Sequence, residues 1–109
     1  IVAGTSDDEL MTAARAIAAM QGGIVAVENG EVRSRVPLPI AGLMSDQPIE
    51  RVRAQMDALV EVARDLGTDL HAPFMALAFL ALPVIPELKL TDRGLVDVNK
   101  FDFVPVFAD

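Results

Sequence analysis

The chain has 109 residues, with nine basic and 16 acidic side chains, so its formal net charge is −7. Its length fits one compact domain, and its 52% hydrophobic content excludes intrinsic disorder. The acidic balance argues against a nucleic-acid or membrane partner, because phosphate binding needs clustered Lys and Arg. With no cysteine and one histidine, the chain holds no disulfide, no zinc-thiolate site and no metal centre of several imidazoles.

The beginning of the chain and the length of its apolar segments bear on its processing and its localisation. The chain begins at Ile1 rather than at methionine, and we therefore expect a processed or excised piece. No segment has the pattern of a signal peptide, and the longest apolar stretch, residues 74–85, is too short to cross a bilayer. We expect a soluble, cytoplasmic domain.

The first predicted helix covers residues 7–21. Ser6 and Glu9 are spaced as a capping box, in which each side chain accepts a hydrogen bond from the other residue's backbone N–H. Residues 22–23 are glycines and predict the end of the helix. A phosphate-binding turn is the alternative, but such turns precede a helix rather than follow one. Residues 1–4 are consistent with the tail of a strand.

A β-hairpin is predicted after this helix. Asn29-Gly30 separates two β-branched runs, residues 24–28 and 31–36, and both turn positions of such a hairpin require positive φ. The alternation in the second run predicts one face made of Val32, Ser34 and Val36.

A second helix is predicted over residues 48–66, after an unusual loop. Residues 37–45 (PLPIAGLMS) contain two prolines that interrupt any ladder, yet the loop is strongly apolar. Loops are normally polar, so we expect this one to pack against something. Ser45 or Asp46 is the predicted cap of the second helix.

The last third predicts a buried helix between Pro73 and Pro83, since this segment is apolar all round. Residues 87–90 are either a turn or a short strand, and residues 91–94 are a turn. Strand-like pieces follow at 95–98 and 101–107. The chain is therefore predicted to be a single α+β domain, in which the two long helices cover one face of a small mixed β-sheet.

Two groups of polar residues are candidates for chemistry. His71, near Asp69, is either a general base or lone metal ligand, or a capping or turn residue. Its lack of an identifiable orienting partner favours the turn. A second set of carboxylates could line a polar site, but their turn-like surroundings favour solvated turn residues. This set comprises Glu87, Asp92 and Asp97.

The two segments 37–45 and 74–90 carry more large apolar side chains than a core of this size needs. We therefore expect part of them to form a docking face for another protein part. The predicted docking face consists of Leu38, Ile40, Leu43, Phe79, Leu82, Val84 and Ile85.

These same segments carry a resemblance to a known family. PLPIAGLMS at residues 37–45 and FLALPVIPELKLTDRGLVDV at residues 79–98 closely resemble the C-terminal domain of bacterial-type adenine deaminases, which belong to the amidohydrolase superfamily. The order of elements is similar too, and the resemblance covers residues 1–107.

The resemblance implies an enzyme of three parts: a small β domain, a (β/α) barrel with a two-metal centre, and this domain. That enzyme hydrolyses adenine to hypoxanthine and ammonia, and its manganese or iron activates a water. No catalytic or metal-binding residue of the family carries over to this chain, so domain 1–109 is expected to bind no cofactor and to be inactive alone. Its expected partner is the catalytic barrel, and a homo-oligomer stays open.

One loop is the best candidate to approach the active site of that enzyme. It is a glycine-containing turn that runs into a helix N-terminus, where backbone N–H groups are free. The loop consists of Gly42, Leu43, Met44, Ser45 and Asp46. Two alternatives remain: a non-enzymatic binding or assembly module that uses the apolar docking face, and a small independent enzyme that uses His71 and Asp69.

Overall fold

The computed structural model describes residues 1–107, and its fold class is α+β, as predicted. Within these residues the helices and strands are, in chain order, α1 (Asp7–Met20), β1 (Gly23–Glu28), β2 (Glu31–Pro37), α2 (Ile49–Asp65), α3 (Pro73–Leu80), β3 (Leu88–Thr91), β4 (Gly94–Asp97) and β5 (Asp102–Val104). The strands form two antiparallel sheets, β1–β2 and β3–β4–β5, instead of one mixed sheet. Each sheet is local because short turns connect its strands.

The chain divides into two compact units, each with its own sheet. The N-terminal unit, residues 2–73, contains the β1–β2 hairpin, and the C-terminal unit, residues 74–107, contains β3, β4 and β5. Among residues 1–107, no helix is long and apolar enough to cross a membrane.

Two helices cover the hairpin of the N-terminal unit. Helix α1 packs on β1, and α2 packs on β2. Val36 and Leu59 are completely buried. The other buried apolar residues are Ala13, Ala26 and Ala63, so the core joins both helices to both strands.

The start of α1 confirms half of the predicted capping box. The Ser6 hydroxyl accepts a hydrogen bond from the backbone N–H of Glu9 at 3.3 Å. The Glu9 carboxylate, however, accepts from the backbone N–H of Asn29 at 2.7 Å rather than from that of Ser6. Glu9 therefore ties α1 to the hairpin turn, and a contact 20 residues away replaces the local one.

The hairpin has the predicted turn but a different pattern of faces. Asn29 and Gly30 have φ of 54° and 77°, as a two-residue turn of this type requires. A register shift next to Ala26 makes Val27 pair with Val32. Because the bulge adds one residue to β2, Val32 lies on the face opposite to Ser34 and Val36, contrary to the alternation in the sequence.

Three further predictions about local structure are wrong. Residues 1–4 are irregular rather than a strand, since no neighbouring strand offers them a ladder in the described structure. Helix α2 has Pro48 as its N-cap, without a side-chain cap, so neither Ser45 nor Asp46 caps it. Helix α3 is largely exposed rather than buried: half or more of each of Met75, Phe79 and Leu80 is accessible.

The β4–β5 turn of the C-terminal unit is organised by Asp97. Its Oδ1 accepts from the backbone N–H groups of Asn99 and Lys100, at 3.0 and 3.1 Å. Its Oδ2 lies 3.4 Å from the Lys100 ammonium. The backbone N–H of Lys100 has the largest effect in lowering the pKa of Asp97, burial partly opposes it, and the ammonium adds to it. Asp97 is thus a turn residue, as its surroundings in the sequence favour.

A glycine pair brings the end of α1 against the far end of β2. Gly22 and Gly23 have φ of 122° and 133°. A Cβ on Gly22 would overlap the Cα of Gly42, and a Cβ on Gly23 would overlap the carbonyl oxygen of Val36. These positions require glycine because side chains fit neither the φ values nor the space.

We predict that Gly22→Ala lowers the free energy of unfolding by about 3 kcal/mol or more, because backbone overlap adds to the strain of positive φ. Gly67→Ala is the matched control, since Gly67 also has positive φ, 99°, but open space around its Cβ position. The control should lose about 1–2 kcal/mol. Urea unfolding of the two variants measures the difference, and equal losses would contradict the close approach of Gly22 to Gly42.

We predict that Asp97 makes the stability of the chain depend on acid pH. Since its pKa is lowered in the folded state, its contribution is present above the ordinary pKa of aspartate and is lost as the pH falls through the lowered value. Asp97→Asn should therefore destabilise the chain at neutral pH and much less at strongly acidic pH. Urea unfolding at both pH values tests this, and a loss independent of pH would contradict it.

Candidate functional site

The segment predicted to approach an active site, residues 42–46, overlaps a tight hairpin at residues 40–44, which we call the apolar turn. The carbonyl oxygen of Ile40 accepts from the N–H groups of Leu43 and Met44, at 3.0 and 3.1 Å, and the N–H of Ile40 donates to the carbonyl oxygen of Met44. Ala41 and Gly42 both have positive φ, 56° and 72°. The apolar turn therefore has a defined backbone rather than an irregular one.

The apolar turn is held at its base and open at its tip. The N–H of Leu38 donates to the carbonyl oxygen of Gly22 at 3.2 Å, and Gly22 also lies against Gly42. Leu43 at the tip is 78% exposed, and Ile40 and Met44 are exposed as well. The backbone of the loop thus packs against Gly22, while the side chains of Ile40, Leu43 and Met44 are exposed.

Ser45 and Asp46 both accept hydrogen bonds from Gln47. The Ser45 hydroxyl accepts from the backbone N–H of Gln47 at 3.1 Å, and Asp46 Oδ1 accepts from the Gln47 side-chain amide at 2.9 Å. In the predicted loop, residues 42–46, the backbone N–H groups of Leu43 and Met44 donate to the carbonyl oxygen of Ile40, so two of its five backbone N–H groups are already used. The loop therefore offers fewer free N–H groups than its sequence suggests.

The residues of the predicted docking face are open to a partner to different degrees. In the N-terminal unit, Leu38 is half-buried and Ile40 and Leu43 are exposed. In the C-terminal unit, the exposed members are Phe79, Leu82, Val84 and Ile85. Each unit therefore exposes apolar side chains of the predicted face, and their docking role stays a prediction.

The polar candidates do not come together into a site. Asp69 and His71 are both exposed in the segment between α2 and α3, where the Thr68 hydroxyl accepts from the N–H of Leu70. Glu87 and Asp92 are exposed too. In the described part of the chain, no three His, Asp or Glu side chains lie close enough together to hold a metal ion.

Sequence reasoning missed an inverted strand in the C-terminal unit. In β3 the charged Lys89 is buried, at 8% exposure, whereas Leu88 and Leu90 are 54% and 74% exposed. The Lys89 ammonium donates to the carbonyl oxygens of Pro86 and Leu88, at 3.3 and 3.2 Å. Alternation in the sequence shows that the lysine and the leucines face opposite ways, but not which side is covered.

A shallow pocket also lies in the C-terminal unit and has no sequence motif that announces it. Its volume is about 210 Å³, and its lining residues are Pro83, Val96, Phe101, Asp102 and Phe103. Phe101 has a φ of 59°, which is unusual for a bulky side chain. The pocket is mainly apolar and brings no pair of acid and base together, so its lining residues do not constitute a catalytic site.

Comparisons with known proteins agree with one another. The chain matches the family described as the adenine deaminase C-terminal domain over residues 1–102. It is 57% identical to an adenine deaminase of Desulfatibacillum aliphaticivorans over 98% of the chain and 19% of that relative. It is 55% identical to an adenine deaminase of Brucella melitensis and 50% identical to one of Desulforamulus reducens, over 94% and 100% of the chain and 18% of each relative.

The chain therefore spans about a fifth of the length of these relatives. The family match covers both units of the structure, including the apolar turn and the inverted strand β3. The identities of 50–57% extend over nearly the whole chain rather than over one motif. This chain belongs to the adenine deaminase C-terminal domain family, as the resemblance predicts.

Proposed function

We propose that this chain is the C-terminal part of an enzyme that hydrolyses adenine to hypoxanthine and ammonia. It packs on the catalytic part of that enzyme and does not itself carry out the reaction. The observation that carries the proposal is the match to proteins named adenine deaminase, which extends over nearly all of this chain and about a fifth of theirs.

The potential metal ligands of the chain favour a structural role rather than a catalytic one. Binding of a two-metal centre needs several imidazole and carboxylate ligands that converge. His71 is the one histidine, it is exposed, and residues 1–107 offer no cluster of three ligands. These residues do not fit a metal centre, so we assign the manganese or iron of the enzyme, and every step of the reaction, to the part of the protein outside this chain.

The exposed apolar side chains support packing on a larger partner. Single exposed leucines are ordinary, but both units expose several large apolar residues in turns and at strand faces. Burial of such residues in an interface stabilises it by about 25 cal/mol for each Å² of apolar surface. We propose the predicted docking face as part of this interface.

A chimera tests the function. We expect that residues 1–107, placed in the adenine deaminase of Desulfatibacillum aliphaticivorans instead of its matching segment, preserve release of ammonia from adenine. The 57% identity should preserve most of the contacts that hold the segment in place. Ammonia release, measured against adenine concentration, provides kcat and KM for the chimera and the parent.

Two controls separate the explanations. The parent without its C-terminal segment should lose activity or stability, and the isolated chain should release no ammonia. An inactive but folded chimera would contradict the proposal and would favour a binding module with another partner. Activity of the isolated chain that disappears in His71→Ala would contradict it as well, in favour of the small independent enzyme.

The loop from Gly42 to Asp46 is a separate proposal, tested in the full-length enzyme. Met44→Ala with Ser45→Ala should change kcat or KM for adenine by roughly tenfold if the loop contributes to the closed active site. Ile49→Ala is the control, because Ile49 is 78% exposed and lies just beyond the loop at the start of α2. Unchanged kinetics in a double variant of normal stability would exclude this role.

A further inference from the structure

The C-terminal unit lacks an apolar core of its own. Lys89 is the one buried residue among residues 74–107, and every apolar side chain there is at least partly exposed. A segment of this size without disulfides or a metal cannot usually fold alone in water. Its described structure therefore leaves a large part of its apolar surface to be covered by something else.

One face of the sheet of this unit carries four apolar side chains. The register pairs Leu90 with Leu95 and Leu95 with Val104, so these three side chains form a row across β3, β4 and β5. Leu88 lies on the same face, two residues before Leu90. We call Leu88, Leu90, Leu95 and Val104 the leucine face.

The opposite face of the sheet holds the one buried residue of the unit, although Phe103 on that face is 53% exposed. It carries Lys89, Val96 and Phe103, which are paired across the strands. Lys89 is buried there and bonded to backbone carbonyl groups. The usual arrangement, with leucines inside and lysine in water, is therefore reversed in β3, and this reversal is favourable only if the leucine face is covered.

We propose that the leucine face binds the remaining part of the same polypeptide, and that residues 74–107 obtain their apolar core only in that interface. This inference rests on the proposed function and adds a surface, since Leu88, Leu90, Leu95 and Val104 lie outside the predicted docking face. The relatives extend the chain about fivefold, and a covalently attached partner has a high effective concentration.

A second copy of the chain is a poorer occupant on electrostatic grounds. Asp97 and Asp102 pair in register and lie on the leucine face beside Leu88. Pairing of two copies through this face would place four carboxylates in one contact, and each chain has a net charge of −7. Like charges at the contact oppose such a pairing.

Thiol labelling in the full-length protein tests the proposal. Leu90→Cys, and separately Leu88→Cys, is treated with a maleimide in the native state and in urea, and labelling of the peptide that contains the new cysteine is followed by mass spectrometry. Both are leucines that are more than half exposed in this structure, so a fast native reaction is the expectation without a partner. With the partner, native labelling should be about tenfold slower or more than in urea, because it requires a local opening.

Leu70→Cys is the matched control, since Leu70 is 56% exposed and lies in the N-terminal unit. Its native and urea rates should be similar. Equally fast native labelling at positions 88 and 90 would overturn the proposal, and so would protection that disappears on dilution, which indicates a second copy. Adenine deamination by the unmodified full-length protein is measured separately, so an active enzyme with an accessible leucine face refutes this inference and leaves the proposed function intact.

Discussion

The close approach of the Gly22-Gly23 pair to β2 and the apolar turn is the constraint on which the N-terminal unit depends. A Cβ at either position would overlap a backbone atom of Val36 or Gly42. The end of α1, the start of β1, the end of β2 and the turn at 40–44 therefore meet within van der Waals distance. This contact holds the backbone of the apolar turn in place, while Ile40, Leu43 and Met44 remain exposed.

The two units differ in how much of their apolar surface they bury. The N-terminal unit buries Val36 and Leu59 between its helices and its hairpin. The C-terminal unit buries a lysine and exposes leucines. Under the proposal above, a domain that spans about a fifth of its relatives completes such a unit through contacts with the rest of the polypeptide, which then contribute to its folding free energy. The exposed leucines of β3 are therefore compatible with a chain that is one part of a larger protein.

Local signals in the sequence predicted much of the fold and little of the site. The Asn29-Gly30 turn, the Ser6 cap and the two long helices depend on neighbours a few residues away, and all are present. The second bond of Glu9, the bulge beside Ala26 and the exposure of α3 depend on distant contacts, and the sequence pattern missed them. His71 lies in an exposed bend, and no group of three potential metal ligands occurs among residues 1–107, so its role as a turn residue stays a prediction.

The sequence by itself determined the α+β class, the turn positions and the family, because these depend on residue types at short spacing and on two long motifs. Only the tertiary structure decided which side of each element is covered. Alternation in β3 separates Lys89 from Leu88 and Leu90, but the packing of the unit decides that the lysine is inside. The physical reason is that a side chain is buried only when another part of the protein packs over it. A local sequence pattern describes the strand itself but not the part that covers it.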